Sequence, residues 1–235
     1  NNKLEASPEK DQLIGEAYAL RAFAYFDLVN LFAKQYDATT ANSERGVPLA
    51  LEIDLEQVFK PESVAIIYGQ IISDKEAAKK LLNKDTQATG LNYRFSKAAL
   101  YALESRVYLY QKQWAQALQA ADKGLAINNA LVDLNATPIL PNNYDTKESI
   151  MALENTFENK LKRSAYPAPS LINTYDKAND LRFNVYYKAS GNGFIFLKGG
   201  EIYQKNTFRT SELYLTKAEA SAQLNDLATA RTTTL

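Results

Sequence analysis

Between positions 7 and 36 apolar side chains recur every third or fourth residue: Leu13, Ala17, Leu20, Ala24, Leu28 and Leu31. That period predicts an amphipathic helix. Ser7-Pro8-Glu9 opens it with a capping hydroxyl, a proline suited to the first helical position and an acid suited to the first turn. Tyr18, Tyr25, Phe26, Val29 and Phe32 widen the apolar face, so the helix is expected to be buried on more than one side and to end between positions 33 and 36. Residues 37–61 lose the period and carry Gly46 and Pro48, which predicts a long loop with one short extended piece. Ser63 then caps a second helix with Val64, Ile67, Tyr68, Ile71, Ala78, Leu81 and Leu82 on one face. Asp74, Lys75 and Glu76 within it read as a solvated face, whose ion pairs contribute little.

Gly90 and Asn92 interrupt the chain before a third helix, capped by Ser96 and reaching about Lys112. Gln113 and Trp114 mark a tight turn into a fourth helix, Trp114–Ile127. Leu100, Leu103, Val107 and Tyr110 on one helix match Ala117, Leu118, Ala121 and Leu125 on the other, which predicts an antiparallel pair. Residues 128–143 are irregular, with Pro138 and Pro141. Residues 148–154 form a short apolar piece readable as strand or helix, and Pro167 and Pro169 precede a short helix at 170–177. Residues 183–187 and 194–197 bracket Ser190-Gly191-Asn192-Gly193 and read as a hairpin. A last strong helix spans 211–224, followed by a break at Asn225-Asp226 and the start of a partner helix.

Ser105, Tyr108 and Ala117 can be laid over Ala218, Ser221 and Ala230, each set crossing a tight helix–helix turn. Tetratricopeptide-type repeats place small residues at this spacing, because the two helices touch there. The expected fold is mainly α: tetratricopeptide-like antiparallel helix pairs with an irregular loop-rich lobe and a small β-hairpin. Residues 1–130 would form a helical region and residues 131–235 a loop-rich lobe returning to a C-terminal helix pair, within one integrated fold.

Composition narrows the chemistry. The 235 residues include 27 basic and 27 acidic side chains, no cysteine, no histidine, one tryptophan, 15 tyrosines and 10 phenylalanines. Without Cys or His the usual zinc, haem, blue-copper and iron–sulfur ligand sets are missing, as are Ser-His-Asp and Cys-His catalysis. No twelve-residue EF-hand pattern occurs, so no metal and no cofactor is expected. Balanced charge provides no footprint for nucleic acid. No apolar run approaches a membrane span, and no signal peptide opens the sequence.

Tyrosine suits sugar binding because its face covers the apolar side of a pyranose while its hydroxyl stays wet. The loop tyrosines Tyr144, Tyr166, Tyr186 and Tyr187 are the candidate ligand-binding residues; the competing reading is that they pack the irregular lobe. Tyr25, Tyr101 and Tyr108 lie in helical apolar patterns and read as structural, and Trp114 reads as packing at the helix turn. Arg182, following Asp180, reads as support for a loop. Glu148 and Glu154 carry no mark of a glycosidase pair, which needs two carboxyls about 5–10 Å apart, and no catalytic residue is expected. Lys198-Gly199-Gly200 lacks the arrangement of a phosphate loop.

Several stretches together resemble the SusD/RagB family. Residues 16–29 (EAYALRAFAYFDLV) are similar to its first long helix, followed by Gly46-Val47-Pro48-Leu49 and by Ser63-Val64, Tyr68, Ile71, Asp74 and Leu81-Leu82. The most distinctive stretch is 95–110 (FSKAALYALESRVYLY) with Trp114 and Ala117; Asp180-Leu181-Arg182 and residues 209–220 (RTSELYLTKAEA) follow in order. The resemblance implies a surface-exposed outer-membrane lipoprotein of Bacteroidetes-type bacteria. Such a protein binds oligo- or polysaccharides without altering them and delivers them to a TonB-dependent, SusC-like transporter. Its one tie to the membrane would be a lipid on an N-terminal cysteine, expected upstream of this sequence, and family members extend past both of its ends. Residues 231–235 replace the family's usual continuation, and Lys75 stands where an apolar residue is common. A tetratricopeptide-like adaptor for peptides and a carboxylate-only glycosidase are the competing functions.

Overall fold

A computed structural model describes residues 5–52, 56, 58–140, 143–153, 166–198 and 207–233. Pro141, Glu154, Gly199 and Gly200, named above, lie outside them. Contacts divide the chain into a helical unit (Asn1–Thr86, Phe95–Ile127 and Glu212–Leu235) and a loop-rich unit (Gln87–Arg94 and Asn128–Ser211).

In the helical unit α1 spans Pro8–Phe32, and the Ser7 hydroxyl accepts from the Lys10 amide at its start. Strands β1 (Arg45–Pro48) and β2 (Pro61–Ser63) pair antiparallel, so the single extended piece expected in this loop is a two-stranded ladder. Ser63 then caps α2, Val64–Leu81. The first two helices meet through small residues. A Cβ on Gly15 would lie 3.0 Å from the Leu82 backbone nitrogen. Beside it the buried Gln12 carboxamide accepts from the Asn83 and Lys84 amides and donates to the Phe95 carbonyl.

Two expectations are corrected in this unit. The stripe Leu13, Ala17, Leu20, Ala24, Leu28 and Leu31 is exposed, Leu31 by 73% and neighbouring Phe32 by 72%. The buried set is Gln12, Gly15, Ala19, Ala22, Tyr25, Phe26 and Val29. Shape decides here: the helix turns its small residues inward, where α2 can come nearest. The second correction concerns Asp74 and Lys75, which are buried at 1% and 0% exposure rather than solvated. Arg21 donates to both Asp74 carboxylate oxygens at 2.7 and 2.6 Å. Lys75 Nζ donates to Glu104 Oε1 at 3.0 Å and to the Tyr108 hydroxyl at 2.7 Å, and Lys79 reaches the same Glu104 oxygen at 2.8 Å.

Helices α3 (Lys97–Tyr110) and α4 (Trp114–Ile127) form the expected pair, with Ser96 as cap and Trp114 as the first residue of α4. The turn between them is a Schellman motif: Gln113 N–H donates to the Tyr108 carbonyl, Lys112 N–H to the Leu109 carbonyl, and Lys112 has φ 57°. Helices α7 (Thr210–Gln223) and α8 (Leu227–Thr233) repeat it bond for bond. There Asp226 N–H donates to the Ser221 carbonyl, Asn225 N–H to the Ala222 carbonyl, and Asn225 has φ 64°. The overlay read from small residues therefore extends to the backbone. A Cβ on Gly124 of α4 would fall 2.7 Å from Leu213 Cδ1 of α7, and Arg106 of α3 forks onto Glu212 with two 2.6 Å bonds.

In the loop-rich unit Asn92 ties distant segments together. Its side-chain amide donates to the Tyr144 carbonyl and the Ser149 hydroxyl, and its own carbonyl accepts from Ala152. β3 (Ser149–Met151) pairs antiparallel with β6 (Phe208–Arg209), which settles the described part of residues 148–154 in favour of a strand. The helix expected at 170–177 is only α5, Pro169–Ile172. Residues 183–187 are not the first hairpin strand: the Asp180 carboxylate accepts from Arg182 N–H and caps a helix α6, Leu181–Tyr186. The hairpin starts one residue later, with β4 (Tyr187–Ser190) and β5 (Gly193–Phe196) in unbroken antiparallel register. Gly191 has φ 56° at the first position of its two-residue loop, where an L side chain would be strained. No described helix is long and apolar enough to cross a membrane.

Three substitutions, followed by urea denaturation, test these assignments. Glu104→Ala removes the nearer counterion of the buried Lys75 ammonium, leaving Glu76 at 3.6 Å, and is expected to cost about 3 kcal/mol, while Leu20→Gln on the exposed stripe changes stability by less than about 0.5 kcal/mol. Lys112→Gly relieves a left-handed lysine and is expected to raise stability by about 1 kcal/mol; a loss would contradict the turn assignment.

Candidate ligand-binding face of the loop-rich unit

The hairpin register places Tyr187 opposite Phe196, and α6 brings Phe183 onto the same cluster. Ile172, Phe183 and Tyr187 are buried at its centre, with Tyr175, Tyr186, Phe194 and Phe196 partly buried around them. Tyr187 lies 5.4 Å from Tyr175, 5.7 Å from Phe183 and 5.9 Å from Phe196 between ring centroids, in tilted or edge-on contacts. Such aromatic contacts contribute about 0.5–1.5 kcal/mol each beyond the area they bury.

Cations border these rings. Lys198 Nζ stands 4.5 Å from the Tyr186 centroid, Lys177 Nζ 5.7 and 5.5 Å from Phe183 and Phe194, and the Arg182 guanidinium carbon 5.8 Å from Tyr175. Asp180 holds Arg182 with bonds of 2.9 and 2.6 Å, as expected of a loop support. Burial pushes the Lys198 ammonium below its ordinary pKa and Arg209 adds to the effect, against the opposing charge of Glu148. Burial raises the Tyr186 phenol, opposed by Arg209 and Arg182. Glu148 is buried; one of its oxygens accepts from Val132 N–H at 2.8 Å and the other makes no hydrogen bond.

The four candidate tyrosines sit in different settings. Tyr186 and Tyr187 are neighbours, but Tyr187 is only 6% exposed and packs the cluster centre, whereas Tyr186 is half-buried beside Lys198. Tyr166 is 66% exposed. Tyr144 is half-buried in a turn and contributes its carbonyl to Asn92. Sequence reasoning did not connect Tyr175 or Lys198 with this face. Lys198 lies past the end of β5, in a bend that strand alternation does not reach. No three acidic side chains are gathered as a metal ion would need among the described residues. The helical unit has a separate open cleft of about 700 Å³, lined by Leu28, Phe32, Val47, Pro48 and Pro61, where Lys34 and Glu44 already pair at 2.7 Å.

The chain thus carries tetratricopeptide-like helix pairs and a loop-rich unit with an aromatic face. Comparison with known proteins agrees. Residues 1–109 match the SusD-like family model described as starch-binding and associating with the outer membrane. A SusD-like protein of Formosa agariphila is 32% identical over 143 residues, covering 57% of this chain and 25% of that protein. Among solved structures, a putative sugar-binding protein of Bacteroides vulgatus superposes with a TM-score of 0.78 at 23% identity, over 99% of this chain and 58% of that one. A laminarin-binding SusD-like protein superposes with a TM-score of 0.69 at 20% identity, over 97% of this chain and 65% of that one. Residues 1–109 are thus similar in sequence to the SusD-like family, and the whole chain shares the fold of these solved structures. It spans a quarter of the curated relative and about three fifths of these structures.

Burial raises the phenols of Tyr68 and Tyr187 to about 12 each. An unfolded tyrosine ionises near pH 10, so folding keeps these two protonated. Their contribution is complete below about pH 10 and is lost as pH rises from there through 12. Unfolding free energy is expected to fall over that window, less steeply in Tyr187→Phe; an identical slope in the variant would contradict the burial of Tyr187.

Proposed function

We propose that this chain captures saccharides at the bacterial surface as part of an outer-membrane lipoprotein, and that it passes them unchanged to a TonB-dependent, SusC-like transporter. The observation that carries the reading is Tyr186, a half-buried tyrosine beside hydrogen-bond donors, on a scaffold whose solved relatives include a laminarin-binding protein. A half-buried ring held by packing loses little freedom when a sugar binds against it. Exposed Tyr166 and half-buried Tyr144 are the further candidates, and Tyr187 packs the aromatic cluster next to Tyr186. The sugar leaves as it arrives. Glu148 is buried and accepts from the Val132 amide, unlike an acid that must reach a glycosidic oxygen.

Native affinity electrophoresis of the 235-residue chain in gels containing laminarin or starch tests the reading. Retardation by at least one polysaccharide is expected, weakened about tenfold in Tyr186→Ala, a change worth about 1.4 kcal/mol. Lys34→Ala, in the cleft of the helical unit, serves as the control and should leave binding unchanged. Free migration through a wide panel of neutral and acidic polysaccharides would overturn the reading.

A further inference from the structure

The leucine stripe of α1 stands in solvent along the whole helix. Leu13 and Leu20 are half exposed, and Leu28, Leu31 and Phe32 carry the open surface to its end. With Ala17 and Ala24 between them they leave roughly 600 Å² of apolar surface in water, the upper end for the largest patch on a monomer. The spacing is that of a helix-packing seam. Leu13 and Leu20 are seven residues apart, as are Ala17, Ala24 and Leu31, and the alanines leave hollows for large side chains of a facing helix. One edge of the seam is acidic: Glu9, Glu16 and Asp27 each stand four residues before one of its leucines. Glu16 accepts from Gln12, whereas the Glu9 and Asp27 carboxylates make no hydrogen bond or ion pair among the described residues. The neighbouring cations are committed elsewhere. Arg21 is forked onto Asp74, and Arg106, whose charge reaches Asp27, is forked onto Glu212. Lys10, on the other edge, is engaged as well.

We propose that this seam seats an amphipathic helix of about 20 residues, apolar on one face and carrying lysine or arginine along one edge. We assign that helix to the part of a longer protein that lies outside these 235 residues. Length supports the assignment. The solved relatives share the fold of nearly all of this chain and carry more than a third of their own length beyond it, so such folds hold further structure to cover what is open here. Charge supports it too. A second copy of α1 fits less well, because an antiparallel pair would set the two acidic edges against each other. A parallel pair would bring them to Arg21, which Asp74 already holds. A basic edge instead meets Glu9 and Asp27, while burial of both apolar faces supplies the main driving force.

The chain has no cysteine, so Leu20→Cys places a single thiol in the seam. Its reaction with a maleimide can be followed by mass spectrometry at that position, both in the 235-residue chain and in the natural protein that contains it. Labelling is expected to be about tenfold or more slower in the natural protein, with equal rates once both are unfolded in urea. Asp27→Lys should restore most of the speed there and leave the 235-residue chain unchanged. Equal labelling of the two folded chains would overturn the proposal, as would a natural protein with nothing beyond the 235 residues. Slow labelling that persists in Asp27→Lys would overturn the basic edge. Labelling of the 235-residue chain that slows as its own concentration rises would show a second copy on the seam and overturn the assignment.

Discussion

A fully buried lysine organises the helical unit. Lys75 has no contact with solvent, and its charge is met by Glu104 at 3.0 Å and Glu76 at 3.6 Å while it also donates to Tyr108. Glu104 and Tyr108 belong to α3, which ties α2 to the tetratricopeptide-like pair at one register. Immediately before it, Asp74 reaches in the opposite direction to Arg21 on α1. Two adjacent charges thus fasten one helix to both of its neighbours. A buried ion pair adds little net stability compared with a well-packed apolar pair, but misplacing either partner is costly. A slipped packing of these helices would leave a charge without its counterion.

The loop-rich unit is held differently. Asn92, the short ladder between β3 and β6 and the Glu148 carbonyl fix its frame through polar contacts. Its aromatic rings then accumulate on the α6 segment and the following hairpin. Tyr187 and Phe183 fill the centre and make the surface rigid, while Tyr186 stays accessible with a cation over it. A rigid, partly exposed ring with fixed donors is suited to ligands that offer an apolar face edged by hydroxyl groups.

Much of this was legible in the sequence where local chemistry decides the outcome. Ser7, Ser63 and Ser96 each cap the helix they were expected to cap, and the repeat of small residues anticipated two identical helix turns. Hydrophobic period located α1 but did not orient it, because close approach by α2 favours Gly15, Ala19 and Ala22 over the leucines. The charges at 74 and 75 looked solvated because their partners are 53 and 29 residues away in the chain. The aromatic run before the hairpin suggested a strand, yet the Asp180 cap starts a helix there. Of the four tyrosines singled out, composition gave no means of separating Tyr187, which packs, from Tyr186, which remains open; only the register of β4 against β5 does so.

Hydrogen–deuterium exchange with and without a bound oligosaccharide addresses the central claim most directly. Added protection is expected in residues 181–198, with α1 and β1 unchanged. Protection confined to the cleft beside Phe32 and Val47, with none around Tyr186, would contradict it.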